Sequence, residues 1–177
     1  LLDQGGRLLC MALALDQVAP RLRLFGAAAR RAQMQQTLLG AVDELKTACV
    51  TPDALEETAA RCPGYLGDKL HDLALVLAAY DAVTAQGHAD PTDRLTRLAE
   101  RIPKSTLGHT GQFYLDGFTD YTRQELAVVR ALLTAGADVT VCLTLDALTD
   151  GNEIFGTARH TARVLLDMAD DCGVPTT

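Results

Sequence analysis

Phe113-Tyr114-Leu115-Asp116-Gly117-Phe118-Thr119-Asp120 is the stretch whose residue types could do chemistry. An apolar run that ends in Asp is how a strand places a carboxylate on Mg²⁺ beside nucleotide phosphates. A second acid directly after it would orient the attacking water, but that position holds Gly117. The stretch therefore offers a metal ligand without a base. The alternative role for Asp116 is to cap the turn after the strand or the helix that follows. Gly117 suits a backbone that turns sharply there.

Other chemistries find little support. The five cysteines, Cys10, Cys49, Cys62, Cys142 and Cys172, include no C-x-x-C spacing, which disfavours a zinc or iron–sulfur site in this chain. They read as free thiols in a reducing cytoplasm. His71, His88, His109 and His160 are scattered, without metal-type spacing, and no metal ligand set is expected. Ser105 is the only serine and lacks a G-x-S-x-G frame, so a serine hydrolase is disfavoured. Glu56-Glu57 and Asp170-Asp171 read as solvated charge near helix ends. No catalytic residue is expected in the chain. A net charge of −7 opposes general DNA binding. Against it, Arg21, Arg23, Arg30 and Arg31 fall in a stretch without acids between Asp16 and Asp43. These four could hold DNA phosphates, or form a solvated face or a subunit contact.

The elements that must position these residues divide into two kinds. Apolar residues make up 48% and charged residues 22%, as in a globular domain. Abundant Leu and Ala with no Trp favour helix. Up to Pro103 the chain reads as helices: an apolar-rich segment ending at Ala19, a second from Ala27 to about Ala48, and a third capped by Thr51 with Pro52 in its first turn. A longer helix from Gly67 carries Leu70, Leu73, Val76, Leu77, Tyr80 and Val83 on one face. Another starts at Asp90-Pro91 and turns Leu95, Leu98 and Ile102 inward. The period then changes. Strands are expected at 112–116 and 138–145, with a helix between them capped by Thr119 or Thr122 and ended by Gly136. A last helix runs from Thr157 to Asp171. Strand, helix, strand at this spacing predicts parallel pairing. Residues 104–111 read as the hinge between the two parts. The fold class is therefore mainly α with a small parallel βαβ(α) unit. No apolar run reaches the ~20 residues of a membrane span, so no membrane partner is expected. The chain starts at Leu1 without Met, and we read it as a piece of a longer protein.

Tyr114 to Glu125, Val139 to Asp146, Ile154-Phe155, Thr157 to Pro175, and Leu70 to Leu95 together resemble the AddB (RexB) family. This is the B subunit of the bacterial ATP-dependent helicase/deoxyribonuclease AddAB, which processes double-strand DNA ends for recombinational repair. The resemblance implies a superfamily 1 helicase-like N-terminal region. Residues 1–107 would be a helical insertion domain, and 108–177 part of a RecA-like (P-loop NTPase-like) core. Asp116 would stand where an active motor holds Mg²⁺, and Gly117 where it holds its catalytic Glu. Thr144 to Leu148 would replace a Gly-Asp-x-x-Gln nucleotide sensor, without its Gly or Gln. The resemblance implies ATP, Mg²⁺ and an iron–sulfur cluster for the parent, with the cluster and the phosphate loop outside this chain. It also implies a cytoplasmic complex with the A subunit and with DNA. Two other readings stay open: a helical interaction domain unrelated to DNA, and a fragment of an active nucleotide-binding enzyme.

Overall fold

The computed structural model describes residues 1–87 and 89–177, so the reading of His88 lies outside the described residues. The chain forms two compact units, Leu1–Arg94 and Leu95–Thr177.

Four helices build the first unit: α1 (Gln4–Val18), α2 (Ala32–Thr47), α3 (Pro52–Arg61) and α4 (Tyr65–Thr84). Asp3 caps α1 by accepting from Gly6 N–H at 2.7 Å, and Thr51 caps α3 with Pro52 following it. The central helix is α4, against which α1, α2 and α3 all pack. Its predicted face is the buried one: Val76, Leu77, Tyr80 and Val83 meet Met11, Leu15 and Val18 of α1 and Leu38, Leu39 and Val42 of α2 in one core. Each large apolar side chain buried there stabilises the unit by roughly 1.5–3 kcal/mol. Gly67 lets α4 press on the end of α3, since a Cβ there would lie 2.0 Å from the Cys62 carbonyl oxygen. The helix expected from Ala27 begins only at Ala32: Gly26–Ala28 form a 3₁₀ turn instead, after residues 23–25, whose amides are held by Asp72 as described below.

After a 3₁₀ turn at Pro91–Asp93 come α5 (Arg94–Arg101), a second such turn at Ile102–Lys104, and α6 (Thr106–Thr110). The expected hinge is thus largely helical. Ser105 accepts from Gly108 N–H at 3.0 Å and so caps a helix of little more than one turn. Leu98, expected inward, is 45% exposed.

The two strands are β1 (Gln112–Leu115) and β2 (Asp138–Val141), paired in parallel with Phe113 opposite Val139. The helix between them, α7 (Arg123–Ala135), begins in a capping box of Thr122 and Glu125 and ends at left-handed Gly136. Thr122, not Thr119, is the cap. Phe113 of β1 and Val139 of β2 pack with Ile102, Leu132 and Ala137 into a second small core. Both strands are shorter than predicted. After Leu115 the chain turns at Asp116-Gly117, so among the described residues no strand pairs with 142–145 beyond the bond from Cys142 N–H to Leu115 O. The in–out alternation nevertheless continues to Leu145. Helix α8 (Gly156–Asp171) completes the second unit. No helix among the described residues is long and apolar enough to cross a membrane.

Candidate functional site

The strand ends carry the first candidate. Asp116 directly follows β1 and is exposed. Its Oδ1 accepts from Gly117 N–H at 2.8 Å, so the carboxylate braces its own turn. Gly117 has φ of +84°, while a Cβ there would meet nothing within 4 Å. The obstacle to a side chain is therefore backbone conformation rather than space. Replacing Gly117 by Glu would put a second acid beside Asp116 in this backbone at a strain of about 1–2 kcal/mol. We expect Gly117→Glu to lower thermal stability and to create no ATP hydrolysis; a gain of Mg²⁺-dependent phosphate release would contradict this.

Downstream of Gly117, the Phe118 and Tyr121 rings stack with centroids 4.8 Å apart. Burial pushes the Tyr121 hydroxyl above its ordinary value. Thr161 of α8 donates to Thr119 O at 2.9 Å. Between this loop and α8 lies a cavity of about 210 Å³, lined by residues that include Asp120, Tyr121, Leu126 and His160.

Asp146 follows β2 but is fully committed to its own loop. It accepts from Asn152 N–H at 2.7 Å, Ala147 N–H at 2.9 Å and the Arg159 guanidinium at 3.1 Å. These donors, that of Asn152 foremost, hold its carboxyl below the usual range. The carboxylate organises residues 146–152 and ties them to Arg159 of the last helix. Among the described residues no three His, Cys, Asp or Glu side chains are grouped so as to hold a metal.

The second candidate, the arginine segment, is the loop 22–31 with its flanking turns. Three consecutive amides, those of Arg23, Leu24 and Phe25, donate to the Asp72 carboxylate at 2.7, 2.8 and 3.0 Å. Asp72 is fully buried. A run of backbone N–H groups of this kind would otherwise be an anion site, and here the protein's own carboxylate fills it. The loop displays all four arginines at the surface. Arg23 pairs with Asp68 at 2.8 Å and Arg30 with Asp16 at 3.3 Å, whereas Arg21 and Arg31 make no ion pair among the described residues.

Sequence reasoning overlooked a buried charge cluster in the first unit. Arg7 of α1 binds Asp43 of α2 and lies 3.2 Å from Asp90, which is 1% exposed. Lys46 bridges Asp81 and Asp93 at 2.8 and 2.7 Å and sits 5.3 Å from the Tyr80 ring centre. Burial pushes the Asp90 carboxyl up, but the Thr92 N–H, the Tyr80 hydroxyl, Arg7 and Lys46 outweigh it and hold it below its ordinary value. The acids and bases involved are far apart in sequence, and nothing in their local spacing announces the cluster.

These features define a class: a helical body joined to a parallel strand–helix–strand unit with a lone carboxylate after the first strand. The chain belongs to the family described as ADDB, N-terminal, whose model matches residues 1–177. It is 38% identical to the B subunit of the ATP-dependent helicase/deoxyribonuclease of Desulforudis audaxviator, over 97% of this chain and 15% of that protein. The B subunits of the same name from Heliobacterium modesticaldum and Geobacillus thermodenitrificans are 35% and 34% identical, over 97% and 88% of this chain. The chain thus spans about 15% of the length of the relatives it matches.

Proposed function

We propose that this chain is a non-catalytic, DNA-engaging scaffold within the B subunit of an ATP-dependent helicase/deoxyribonuclease that processes double-strand DNA ends for recombinational repair. The observation that carries the proposal is the strand end. Asp116 follows the first of two parallel strands, where open α/β sheets bind ligands, and Gly117 occupies the base position in a backbone that disfavours a side chain. In this reading residues 108–177 are part of a RecA-like core and 1–107 an insertion domain. The two parallel strands with their connecting helix are the kind of unit from which such a core is built. Asp116 and Gly117 are then remnants of a motor site. The parent complex is cytoplasmic, its A subunit supplies the active motor, and ATP with Mg²⁺ and the iron–sulfur cluster belong to parts beyond this chain.

The arginine loop is the DNA-engaging element of the first unit. Arg21 and Arg31 contact phosphates directly, and Arg23 and Arg30 would do so by exchanging Asp68 and Asp16 for phosphate. Contacts of this kind fix position on the duplex and carry no sequence information. The experiment is phosphate release from MgATP by the purified chain, beside its Asp116→Ala variant. We expect both at the buffer rate. Turnover that disappears in Asp116→Ala would favour the active nucleotide-binding enzyme instead.

A further inference from the structure

A second basic surface lies on α5 and the turn after it. Arg94, Arg97 and Arg101 recur at i, i+3 and i+7 within α5, and Lys104 follows in the turn Ile102–Lys104. At about 3.6 residues per turn the three arginines fall within an arc of roughly 60°. The helix keeps its other side for packing: Leu95 and Ala99 are half-buried and Ile102 is buried. All four cations are exposed. Among the described residues Arg101 and Lys104 make no ion pair, unlike Arg23 and Arg30. From 94 to 115 there are four cations and one acid, Glu100, a local charge of +3 in a chain of −7. Glu100 falls roughly 60° beyond Arg97, at the margin of the stripe.

From these observations we infer that the exposed face of α5 and its following turn, through Arg101 and Lys104, is a phosphate-contacting surface for duplex DNA. The inference rests on the reading of the parent as a DNA-end-processing subunit, and it adds a surface that the reading does not contain. Charge complementarity selects the occupant. A protein-binding face is built around a desolvated apolar or aromatic centre. This stripe has no aromatic residue, and Leu98 lies at its apolar margin. Interfaces with DNA are more polar and far more positive. Arg94 and Arg101 are separated by roughly 10 Å along the helix axis at 1.5 Å per residue. A DNA strand presents a phosphate about every 3.4 Å of axis, so the stripe spans some three phosphates. Without aromatic side chains for stacking, it reads backbone and not bases.

The test uses the full-length parent subunit assembled with its partner. Binding of blunt duplex DNA is followed by fluorescence anisotropy across a salt series for the wild type, Arg101→Ala/Lys104→Ala, and Arg101→Lys/Lys104→Arg. We expect the alanine pair to bind more weakly and to flatten the salt slope of log affinity by up to roughly two, at about 0.9 per phosphate contact. The loss should be equal on duplexes of shuffled sequence, and the charge-preserving pair should behave as wild type. An unchanged affinity and slope in an intact complex would overturn the inference while leaving the DNA-end reading in place. So would loss of assembly by the alanine pair in sedimentation, which would make the stripe a protein contact. A wild-type complex that binds no duplex ends would instead sink the underlying reading, and the inference with it.

Discussion

Replacing Arg7 by Met should destabilise the chain by about 3–5 kcal/mol at neutral pH, because it leaves buried carboxylate charge without its partner. Arg7 is 7% exposed and Asp90 1%, so water cannot readily take the place of the guanidinium. Lys46 remains 3.9 Å from Asp90, which places the expected loss towards the lower end of that range. The pH dependence identifies the cause. In the wild type the Asp90 carboxyl is held below its ordinary value, so its contribution is present above the ordinary carboxylate pKa and is lost as pH falls through the folded value. In Arg7→Met the Thr92 N–H, the Tyr80 hydroxyl and Lys46 still act on the carboxyl, so that contribution is reduced at neutral pH. The penalty should therefore shrink below about pH 4, where protonation removes the stranded charge. Asp90→Asn in the Arg7→Met background should recover part of the loss. Urea unfolding across this pH range checks all three expectations, and a penalty below about 1 kcal/mol, or one independent of pH, would contradict the account.

What the sequence made legible was local. Thr51-Pro52 and Thr122-x-x-Glu125 announced helix starts because capping needs only residues a turn apart. The buried face of α4 followed from its period, and the parallel pairing followed from the length of the strand–helix–strand unit. Misses occurred wherever a distant partner decided the outcome. Ahead of α2, Asp72, 47 residues beyond Phe25, holds the amides of residues 23–25, and the chain then takes a 3₁₀ turn at Gly26–Ala28 before the helix starts at Ala32. The paired length of β2 depended on where β1 turned away, at Gly117. Arg23 and Arg30 are matched by acids of other segments, Asp68 and Asp16, pairs that charge counting along the chain did not anticipate. The α5 stripe is a different case. Its i, i+3, i+7 spacing was visible, but the apolar residues of that segment drew the reading instead, and one of them, Leu98, is exposed.

The same long-range contact gives the second large effect. Asp72→Ala removes the acceptor of three backbone N–H groups at once, in a place with no exposed surface. A buried donor left unsatisfied costs about 1–3 kcal/mol, so three of them would exceed what the loop can bear closed. The loop instead opens to water, and the net loss should settle near ~3 kcal/mol. Asp72→Asn should not rescue it well. Its one carbonyl oxygen accepts where two carboxylate oxygens did, and its amide group turns donors towards donors. The decisive readout is hydrogen exchange at Arg23, Leu24 and Phe25. Those amides should exchange far faster in Asp72→Ala, while the core helix α4 around Leu77 keeps its protection relative to global stability. Unchanged exchange at the three positions would show that the carboxylate does not hold the loop. If it does hold it, Asp72 acts on Arg21, Arg23, Arg30 and Arg31 without touching any ligand of theirs. It presents a fixed arginine loop in place of a mobile one, which under the proposed DNA-engaging role would lower the ordering entropy that opposes a phosphate contact.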